Sequence, residues 1–187
     1  HLKNETTMKL NKKIAVVIPC YKVANQIKSV LDSLPTFIDC IVVVDDACPE
    51  NSGKLVEQLA MDNTTVLYHK QNQGVGGATI SGFKKALELK CEVFIKMDGD
   101  GQMDANNISK LIQPILDGAA DYTKGNRFRD FKTLKKMPKI RLFGNSMLSF
   151  IAKITSGYWD IMDPTNGFVA ISTDALQSLE LNKIEKR

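Results

Sequence analysis

The sequence predicts an α/β fold with a largely parallel sheet. Short apolar runs rich in β-branched residues alternate along the chain with segments whose apolar residues recur at helical spacing. The runs are continuous rather than alternating, which is typical of strands covered by helices on both faces. Ligands of such sheets bind outside the carboxyl ends of the strands, so the residues that end each strand form the candidate site.

Six segments are predicted to be strands because each is a short apolar run bounded by turn residues. Pro19 is expected to halt the first strand, because proline lacks the N–H that a central strand uses. Asp45 and Asp46 end the second strand, and Asp98 ends the fourth. In chain order the predicted strands are residues 14–18, 40–44, 65–68, 93–97 and 122–125, with a last strand through Ile171.

Helices are predicted between these strands, where apolar side chains return every three or four residues. The first is expected to follow Tyr21 and to end at Pro35, because proline does not continue a helix. In the second, over residues 53–61, one apolar face is predicted to hold Leu55, Val56 and Leu59. The remaining helices are predicted around Ile80, Phe83, Ala86 and Leu87, around Ile108, Leu111, Ile112 and Ile115, over residues 142–155, and from Asp174 onward.

Length and composition indicate one globular domain. The chain has 187 residues, of which 43% are apolar and 25% charged, which excludes disordered and fibrous proteins. Its net charge of +4 is too small to imply nucleic acid as a partner. No apolar run reaches the length of a membrane span. We expect residues 1–13 to be a frayed tail or a remnant of cloning, and residues 14–187 to be one domain truncated at its C-terminus.

The four cysteines show no CxxC spacing, and three of them lie in or beside predicted strands. Buried free cysteine behaves as a small apolar residue, and this usage favours a reducing cytosol. His69 and His1 form no ligand cluster with them in the sequence. Neither a zinc site nor a disulfide framework is therefore indicated.

The strongest chemical signal is the acidic turn that follows the fourth predicted strand, Asp98-Gly99-Asp100-Gly101-Gln102. Two carboxylates one residue apart suit Mg²⁺ or Mn²⁺, which prefer oxygen ligands and bind through one or two carboxylates plus substrate phosphates. Gln102 can add an amide oxygen. The glycines are expected to supply the φ values that a tight turn needs.

Several other interpretations compete for this turn. Aspartate and glycine are ordinary turn residues, so a plain β-turn is the simplest of them. An EF-hand loop fails, because Met103 stands where the loop needs glycine and Ser109 where it needs a bidentate glutamate. A phosphatase with an aspartate nucleophile stays open, as does a non-catalytic module that binds a sugar nucleotide or Ca²⁺.

Glycines also cluster after the third predicted strand, at Gly74, Gly76 and Gly77. The spacing is not GxGxxG and does not follow the first strand, so a dinucleotide-binding dehydrogenase is not indicated. Two interpretations stay open. The glycines permit close packing of helix on strand, or they let the backbone contact a phosphate.

The turn after the second strand and the residues after the first have side chains that suit a nucleoside. Asp46 can accept hydrogen bonds from a nucleobase edge, and Tyr21 can stack on a base. Taken alone, Asp45 and Asp46 indicate a solvated turn.

Residues 124–141 hold eight lysines or arginines and a single acid, Asp130. Such charge runs are usually solvated loops. Arg127 and Arg141 could nevertheless grip a phosphate through the planar guanidinium group. A cationic and partly apolar segment beside a metal site fits an anionic, amphiphilic acceptor at a membrane surface.

Six motifs occur in order between about Ile14 and Ile171. They are VIPCY at 17–21, VVDD at 43–46, NQGVG at 72–76, MDGDGQ at 97–102, GNR at 125–127 and TNGF at 165–168. Together they resemble family-2 glycosyltransferases, and most nearly the dolichyl- or polyprenyl-phosphate sugar transferases. Two departures are Lys22-Val23, where the family often has Asn-Glu, and Ala47-Cys48 in place of a small polar pair.

The resemblance implies the three-layer α/β/α glycosyltransferase-A fold and inverting transfer of a sugar from a UDP- or GDP-sugar, with Mg²⁺ or Mn²⁺ as cofactor. It also implies roles for individual residues. Asp98, Asp100 and Gln102 would hold the metal; Pro19, Tyr21, Asp46, Gly77, Asp98 and Gly99 would bind the nucleotide; and Arg127 and Arg141, the latter opening the family's R-x-x-G-N pattern, would lie near the phosphates.

The acceptor is expected to be a lipid phosphate or a saccharide. A polyprenyl phosphate is ionised at neutral pH and needs no general base, whereas a sugar hydroxyl needs a positioned carboxylate. Asp163 is the candidate for that base, although a turn from helix to strand before Pro164 is the simpler explanation. The resemblance also implies peripheral contact with the cytoplasmic face of a membrane, to which a longer parent protein could be anchored.

Overall fold

The structure is a computed structural model that describes residues 12–125 and 167–179. Within these ranges there are six strands, and helices alternate with them from the first strand to the fifth, as the apolar pattern predicted. The strands are β1 Ile14–Cys20, β2 Cys40–Asp45, β3 Thr64–Tyr68, β4 Val93–Lys96, β5 Tyr122–Lys124 and β6 Val169–Ser172. The helices are α1 Ile27–Asp32, α2 Ser52–Gln58, α3 Gly74–Glu88, α4 Ile108–Leu116 and α5 Thr173–Ser178, with a short 3-10 helix, Ala105–Asn107, before α4.

The six strands form one mixed sheet in the order β3-β2-β1-β4-β6-β5. The first four in that order are parallel to one another, and β6 runs antiparallel to both β4 and β5. The expectation of a largely parallel α/β sheet is therefore confirmed. Because β2, β1 and β4 are neighbours and parallel, their carboxyl ends meet at one edge of the sheet.

Helices cover both faces of the sheet and give three layers. One buried cluster joins α1, α2 and α4 to one face, and the other joins α3 and α5 to the opposite face. On the second face α3 lies so close to β1 that a Cβ on Gly82 would overlap the Val17 side chain. Residues Ala78 and Ala86 of the same helix are fully buried, so small side chains allow this approach.

The prediction that Pro19 halts the first strand is wrong, because β1 continues to Cys20 and pairs Pro19 with Val44 of β2. Alternate residues of a parallel strand direct their backbone groups to opposite neighbours. The Val17 carbonyl accepts from the β4 side, so Pro19 faces that side too, and β4 has already ended there at Lys96. The missing N–H of Pro19 therefore breaks no ladder bond.

The first two helices are shorter than predicted. Helix α1 begins at Ile27 rather than soon after Tyr21, because the chain first makes a turn closed by the Val23 carbonyl. Helix α2 ends at Gln58 rather than at residue 61. In α2, Val56 is buried but Leu55 is 39% exposed, so the predicted apolar face is narrower than expected. The reason is that α2 packs near the sheet edge, against β2 and the edge strand β3.

All four cysteines are buried and free, including the three that lie in or beside predicted strands. In the part of the chain that the structure describes, no helix combines the length and apolar character that a membrane crossing requires.

Candidate functional site

Three turns leave the sheet side by side at the carboxyl ends of β1, β2 and β4. The strand ends are joined by backbone hydrogen bonds from the Asp46 N–H to the Cys20 carbonyl, at 3.0 Å, and from the Met97 N–H to the Val17 carbonyl, also at 3.0 Å. The structure thus brings Pro19, Tyr21, Asp46 and Asp98 to one rim, as predicted. Tyr21 is 44% exposed there, with the Lys22 ammonium 5.4 Å from its ring centroid.

Asp45 is committed to holding the β2–α2 loop. Its Oδ1 accepts the Cys48 N–H at 2.7 Å, and its Oδ2 accepts the Gly53 N–H at 2.8 Å. The second bond lies in the first turn of α2, where backbone N–H groups otherwise lack partners. Asp45 therefore organises the loop with both of its oxygens occupied.

Asp46 is also buried, so the prediction of a solvated turn is wrong for both acids. Its Oδ1 accepts the Gln73 N–H at 2.9 Å and lies 2.6 Å from His69 Nδ1. Among the described residues, the one buried side-chain polar atom without a partner is Thr64 Oγ1. Asp46 Oδ2 has no hydrogen bond to the described residues and is not among their buried unpartnered atoms.

His69 is a residue that the sequence analysis missed. It follows β3, and its backbone N–H donates to the Asp45 carbonyl at 2.9 Å, which places its ring beside Asp46. Its Nε2 lies 2.9 Å from Ser81 Oγ on α3. His69 is far in sequence from Asp45 and Asp46, and only the parallel register of β2 and β3 brings it next to them.

The β1 and β2 turns are tied together through Cys48. Its Sγ accepts the Lys22 N–H at 3.1 Å and lies 3.2 Å from Ser52 Oγ. Burial raises the pKa of the Cys48 thiol, but the hydrogen bonds from Ser52 and Lys22 outweigh burial and leave the pKa below its ordinary value. By contrast, burial and the nearby charges of Asp45 and Cys48 hold the pKa of the Cys20 thiol well above its ordinary range.

The acidic turn after β4 is more open. The Asp98 side chain is 32% exposed, and its Oδ1 accepts a hydrogen bond from the ammonium of Lys96, which is buried. Lys96 is a second residue that the sequence analysis missed, because it stands inside an apolar strand. A Cβ on Gly167 would overlap the Lys96 ammonium and lie 3.2 Å from Asp98 Oδ2, so glycine at this position leaves room for the ion pair.

Asp100 and Gln102 are exposed, and Asp100 Oδ1 accepts the Gln102 N–H at 3.0 Å. Of the glycines in the turn, Gly101 has a positive φ, +75°, as expected for a tight turn, whereas Gly99 does not. Gly99 instead provides room. A Cβ there would lie 3.2 Å from Val23 and 3.3 Å from the Cys20 sulfur, tighter than ordinary contact.

This turn offers oxygen ligands, the kind that a hard divalent cation prefers. In the described part of the chain no group of three or more histidine, cysteine, aspartate or glutamate side chains could hold a metal. Two carboxylates, from Asp98 and Asp100, and the Gln102 amide remain. Mg²⁺ and Mn²⁺ sites of this kind take their further ligands from phosphates and water.

The glycines that open α3 lie at the same rim. Gly74 has a φ of +75°, and its N–H donates to Asn72 Oδ1 at 3.0 Å. Gly77 is buried in the first turn of α3. Close approach of α3 to a strand is seen at Gly82, where a Cβ would overlap the Val17 side chain. The nucleotide contact at Gly77 stays a prediction.

Three predicted site residues, Arg127, Arg141 and Asp163, lie outside the described residues, as does the helix predicted over residues 142–155. Their roles stay predictions.

Comparison with known proteins identifies the family. The model of glycosyl transferase family 2 matches residues 15–180. UDP-N-acetylglucosamine–dolichyl-phosphate N-acetylglucosaminyltransferase of Methanococcus voltae is 35% identical over 95% of this chain and 76% of its own length. The undecaprenyl-phosphate mannosyltransferase of Micrococcus luteus is 28% identical over 94% of this chain and 72% of its own.

Solved structures bear on the fold. Glucosyl-3-phosphoglycerate synthase of Mycobacterium tuberculosis, in complex with Mn²⁺, UDP and phosphoglyceric acid, superposes with a TM-score of 0.68 at 17% identity. The likeness covers 90% of this chain but 58% of the synthase chain, so this chain spans less than two thirds of that structure. It confirms the glycosyltransferase-A fold. With the family match over residues 15–180, the chain belongs to glycosyl transferase family 2.

Proposed function

We propose that this chain is the catalytic domain of a metal-dependent, inverting glycosyltransferase that moves a sugar from a UDP- or GDP-sugar to a polyprenyl or dolichyl phosphate. One observation carries the proposal. Three neighbouring strand ends present an exposed aromatic ring, from Tyr21, and a buried carboxylate, from Asp46, of which one oxygen has no hydrogen bond to the described residues. They also present the partly exposed carboxylate of Asp98 and the exposed carboxylate of Asp100. A nucleoside diphosphate needs these groups in one place.

The first part of the site suits the nucleoside. Tyr21 offers an exposed ring on which the base can stack, and Pro19 lies two residues before it, near the end of β1. Asp46 Oδ2 can accept a hydrogen bond from a ring N–H. Uracil and guanine carry such a donor on their pairing edge, whereas cytosine and adenine carry an acceptor there. A free carboxylate oxygen therefore supports a UDP- or GDP-sugar.

The second part suits the diphosphate. Asp98, Asp100 and Gln102 would hold Mg²⁺ or Mn²⁺, which when bound neutralises charge that builds up on the leaving diphosphate. Lys96 donates to Asp98 Oδ1, so Oδ2 is the oxygen of Asp98 that would bind the ion. The M. tuberculosis synthase, crystallised with UDP and either Mn²⁺ or Mg²⁺, supports a divalent ion at a site of this fold.

The names of the relatives support a lipid-phosphate acceptor. Besides the two transferases above, a dolichol-phosphate mannosyltransferase of Pyrococcus furiosus is 28% identical over 92% of this chain and 49% of its own length. An ionised lipid phosphate can attack the anomeric carbon directly from the face opposite the diphosphate, which inverts the configuration. The basic residues of 124–141, with Arg127 and Arg141, would face the anionic acceptor at the cytoplasmic face of a membrane.

Isothermal titration with UDP and GDP, each with and without Mn²⁺, tests the donor site. We expect binding of one nucleotide that depends on Mn²⁺ and weakens by about tenfold or more in Asp98→Asn, because a charged ligand is lost. Asp62→Asn is the matched control, since Asp62 is exposed and lies before β3, at the opposite end of the sheet. Binding of neither nucleotide to the folded chain would overturn the proposal.

Transfer of labelled sugar tests the acceptor. In detergent micelles we expect product with short-chain polyprenyl phosphate, and we expect Asp163→Asn to keep that activity. Transfer to a saccharide hydroxyl, abolished by Asp163→Asn, would instead favour polysaccharide synthesis by the same fold. Release of phosphate from p-nitrophenyl phosphate, abolished by Asp98→Asn, would favour the phosphatase. Tight nucleotide binding without turnover on any acceptor would favour a binding module.

A further inference from the structure

A partly buried chain of hydrogen bonds links helix α3 to the candidate nucleotide site. It runs from Ser81 Oγ on α3 to His69 Nε2, at 2.9 Å, and from His69 Nδ1 to Asp46 Oδ1, at 2.6 Å. The side chains of His69 and Asp46 are 9% and 4% exposed. The function proposed above makes no use of His69 or Ser81, although burying such polar groups is costly unless they are paired.

The chemistry of the partners fixes where the protons lie. An ionised carboxylate only accepts hydrogen bonds, so the proton between His69 and Asp46 belongs to Nδ1 of the ring. When the ring is neutral, Nε2 is the acceptor and the Ser81 hydroxyl donates to it. Ser81 therefore fixes the orientation and the tautomer of His69, and His69 in turn fixes Asp46.

This arrangement divides the two oxygens of Asp46 between separate tasks. Oδ1 accepts from both His69 Nδ1–H and the Gln73 N–H. Rotation of the carboxylate would break two hydrogen bonds in a buried setting, which is unfavourable. Oδ2 is thereby held in one direction, at the strand end where the Asp46 N–H joins the Cys20 carbonyl.

We propose that His69 is a positioning residue of the nucleotide site, acting through Asp46 to orient the oxygen that recognises the ring N–H of the base. The inference rests on the proposed function, and it names the residue on which recognition of a uracil or guanine base depends. His69 does not itself touch the nucleotide. It supplies a preorganised acceptor, so that less conformational freedom is lost when the base binds.

Asparagine and glutamine provide a matched pair of test variants. An asparagine amide reaches the position of His Nδ1, so His69→Asn keeps a donor to Asp46. A glutamine amide reaches the position of Nε2, so His69→Gln keeps the bond to Ser81 and loses that donor. By titration with UDP and GDP in the presence of Mn²⁺, we expect His69→Gln to weaken binding by about tenfold. We expect His69→Asn to stay within about threefold of the wild type.

Two further measurements separate positioning from general damage. Titration with inorganic pyrophosphate and Mn²⁺ probes the metal side alone, and we expect it to be unchanged in His69→Gln and lost in Asp98→Asn. In an Asp46→Asn background, His69→Gln should cause no further loss of nucleotide affinity, because residues that act through one another are not additive. Circular dichroism spectra identify any variant that fails to fold.

The outcomes are distinct. Failure of the wild type to bind UDP or GDP would overturn the proposed function itself. Wild-type binding with equal affinities in His69→Gln and His69→Asn would overturn the role of His69 alone, and so would additive losses in the double variant. Loss of pyrophosphate binding in a folded His69→Gln variant would show a structural role instead. If His69→Gln does not fold, Ser81→Ala replaces it, with an expected loss of about threefold; unchanged affinity there would count against the inference.

Discussion

The turns after β2 and β4 look alike in sequence but differ in the structure. Each follows a buried parallel strand and carries two aspartates. After β2 both acids are buried. Three of their four carboxylate oxygens accept hydrogen bonds from the backbone N–H groups of Cys48, Gly53 and Gln73. After β4, Asp98 is partly exposed and Asp100 is exposed.

The two turns also differ in which residues adopt a positive φ. Ala47 and Asn51, in the β2–α2 loop, have φ values of 54° and 55°, which side-chain-bearing residues rarely adopt. Such strain persists where surrounding contacts hold it, and here the bonds of Asp45 to the loop do so. The turn after β4 places glycine, Gly101, at its positive φ and needs no such support.

The difference teaches how one motif can serve two tasks. A carboxylate that recognises a base must point in one direction, so it is best buried and held by neighbours. A carboxylate that binds a cation with a phosphate must be reachable by both, so it is best exposed. The environment of each strand end, rather than its residues, decides which task it can perform.

The largest expected effect on stability separates the two turns. We expect Asp45→Asn to lower the free energy of unfolding by about 2–4 kcal/mol, because an amide nitrogen would face a backbone N–H that the carboxylate now accepts. Asp100→Asn should change it by less than about 0.5 kcal/mol, since Asp100 is exposed. Urea unfolding measures both. Equal losses would contradict the contrast between a buried and an open turn.

Substitution of two glycines, Gly53 and Gly167, tests the contrast between the two turns with a smaller expected effect on stability. A Cβ on Gly53 would lie 2.9 Å from the Asp45 Cβ and 2.7 Å from the Tyr68 ring. We expect Gly53→Ala to lower the free energy of unfolding by about 1–2 kcal/mol, because the loss from overpacking exceeds the gain in helix propensity. A Cβ on Gly167 would meet the flexible end of Lys96.

Because the Lys96 ammonium can move, we expect Gly167→Ala to lower the free energy of unfolding by less than about 1 kcal/mol. This variant should alter Mn²⁺-dependent nucleotide binding before it alters stability. Urea unfolding and titration of the same samples separate the two effects. A larger loss of stability in Gly167→Ala than in Gly53→Ala would reverse the expected order.

The smallest effect is a pH dependence at Cys48. Because its pKa is lowered in the folded state, we expect alkylation of Cys48 by iodoacetamide at pH values below the ordinary thiol pKa of about 8.5, where Cys20 stays unreactive. The unfolded state binds more protons in this interval, so the thiol's contribution to stability grows as pH rises toward 8.5 and is lost as pH falls through the folded pKa. Peptide mass spectrometry after alkylation measures the order of modification.

The matched control is Cys48→Ser, which keeps a polar group near the Lys22 N–H and removes the reactive thiol. If Cys20 is modified before Cys48, the difference between the two thiols is contradicted.

Much of the fold followed from local pattern. The apolar runs predicted the strands because a buried parallel strand needs apolar residues on both faces, and helical spacing predicted α4 because one face must meet the sheet. Pro19 misled the prediction, since its effect depends on which neighbour its nitrogen faces. Leu55 also misled the prediction, because the exposure of a residue on a short helix depends on how near the sheet edge the helix packs.

The sequence by itself determined the α/β class, the strand ends that carry Asp46 and Asp98, and the family motifs between them. Tertiary structure alone decided that Asp45 and Asp46 are buried, that His69 and Ser81 stand behind Asp46, and that Lys96 pairs with Asp98 beside Gly167. The physical reason is the range of the interactions. Apolar periodicity is written in neighbouring residues, whereas these hydrogen bonds join strands and helices whose register arises only when the sheet assembles.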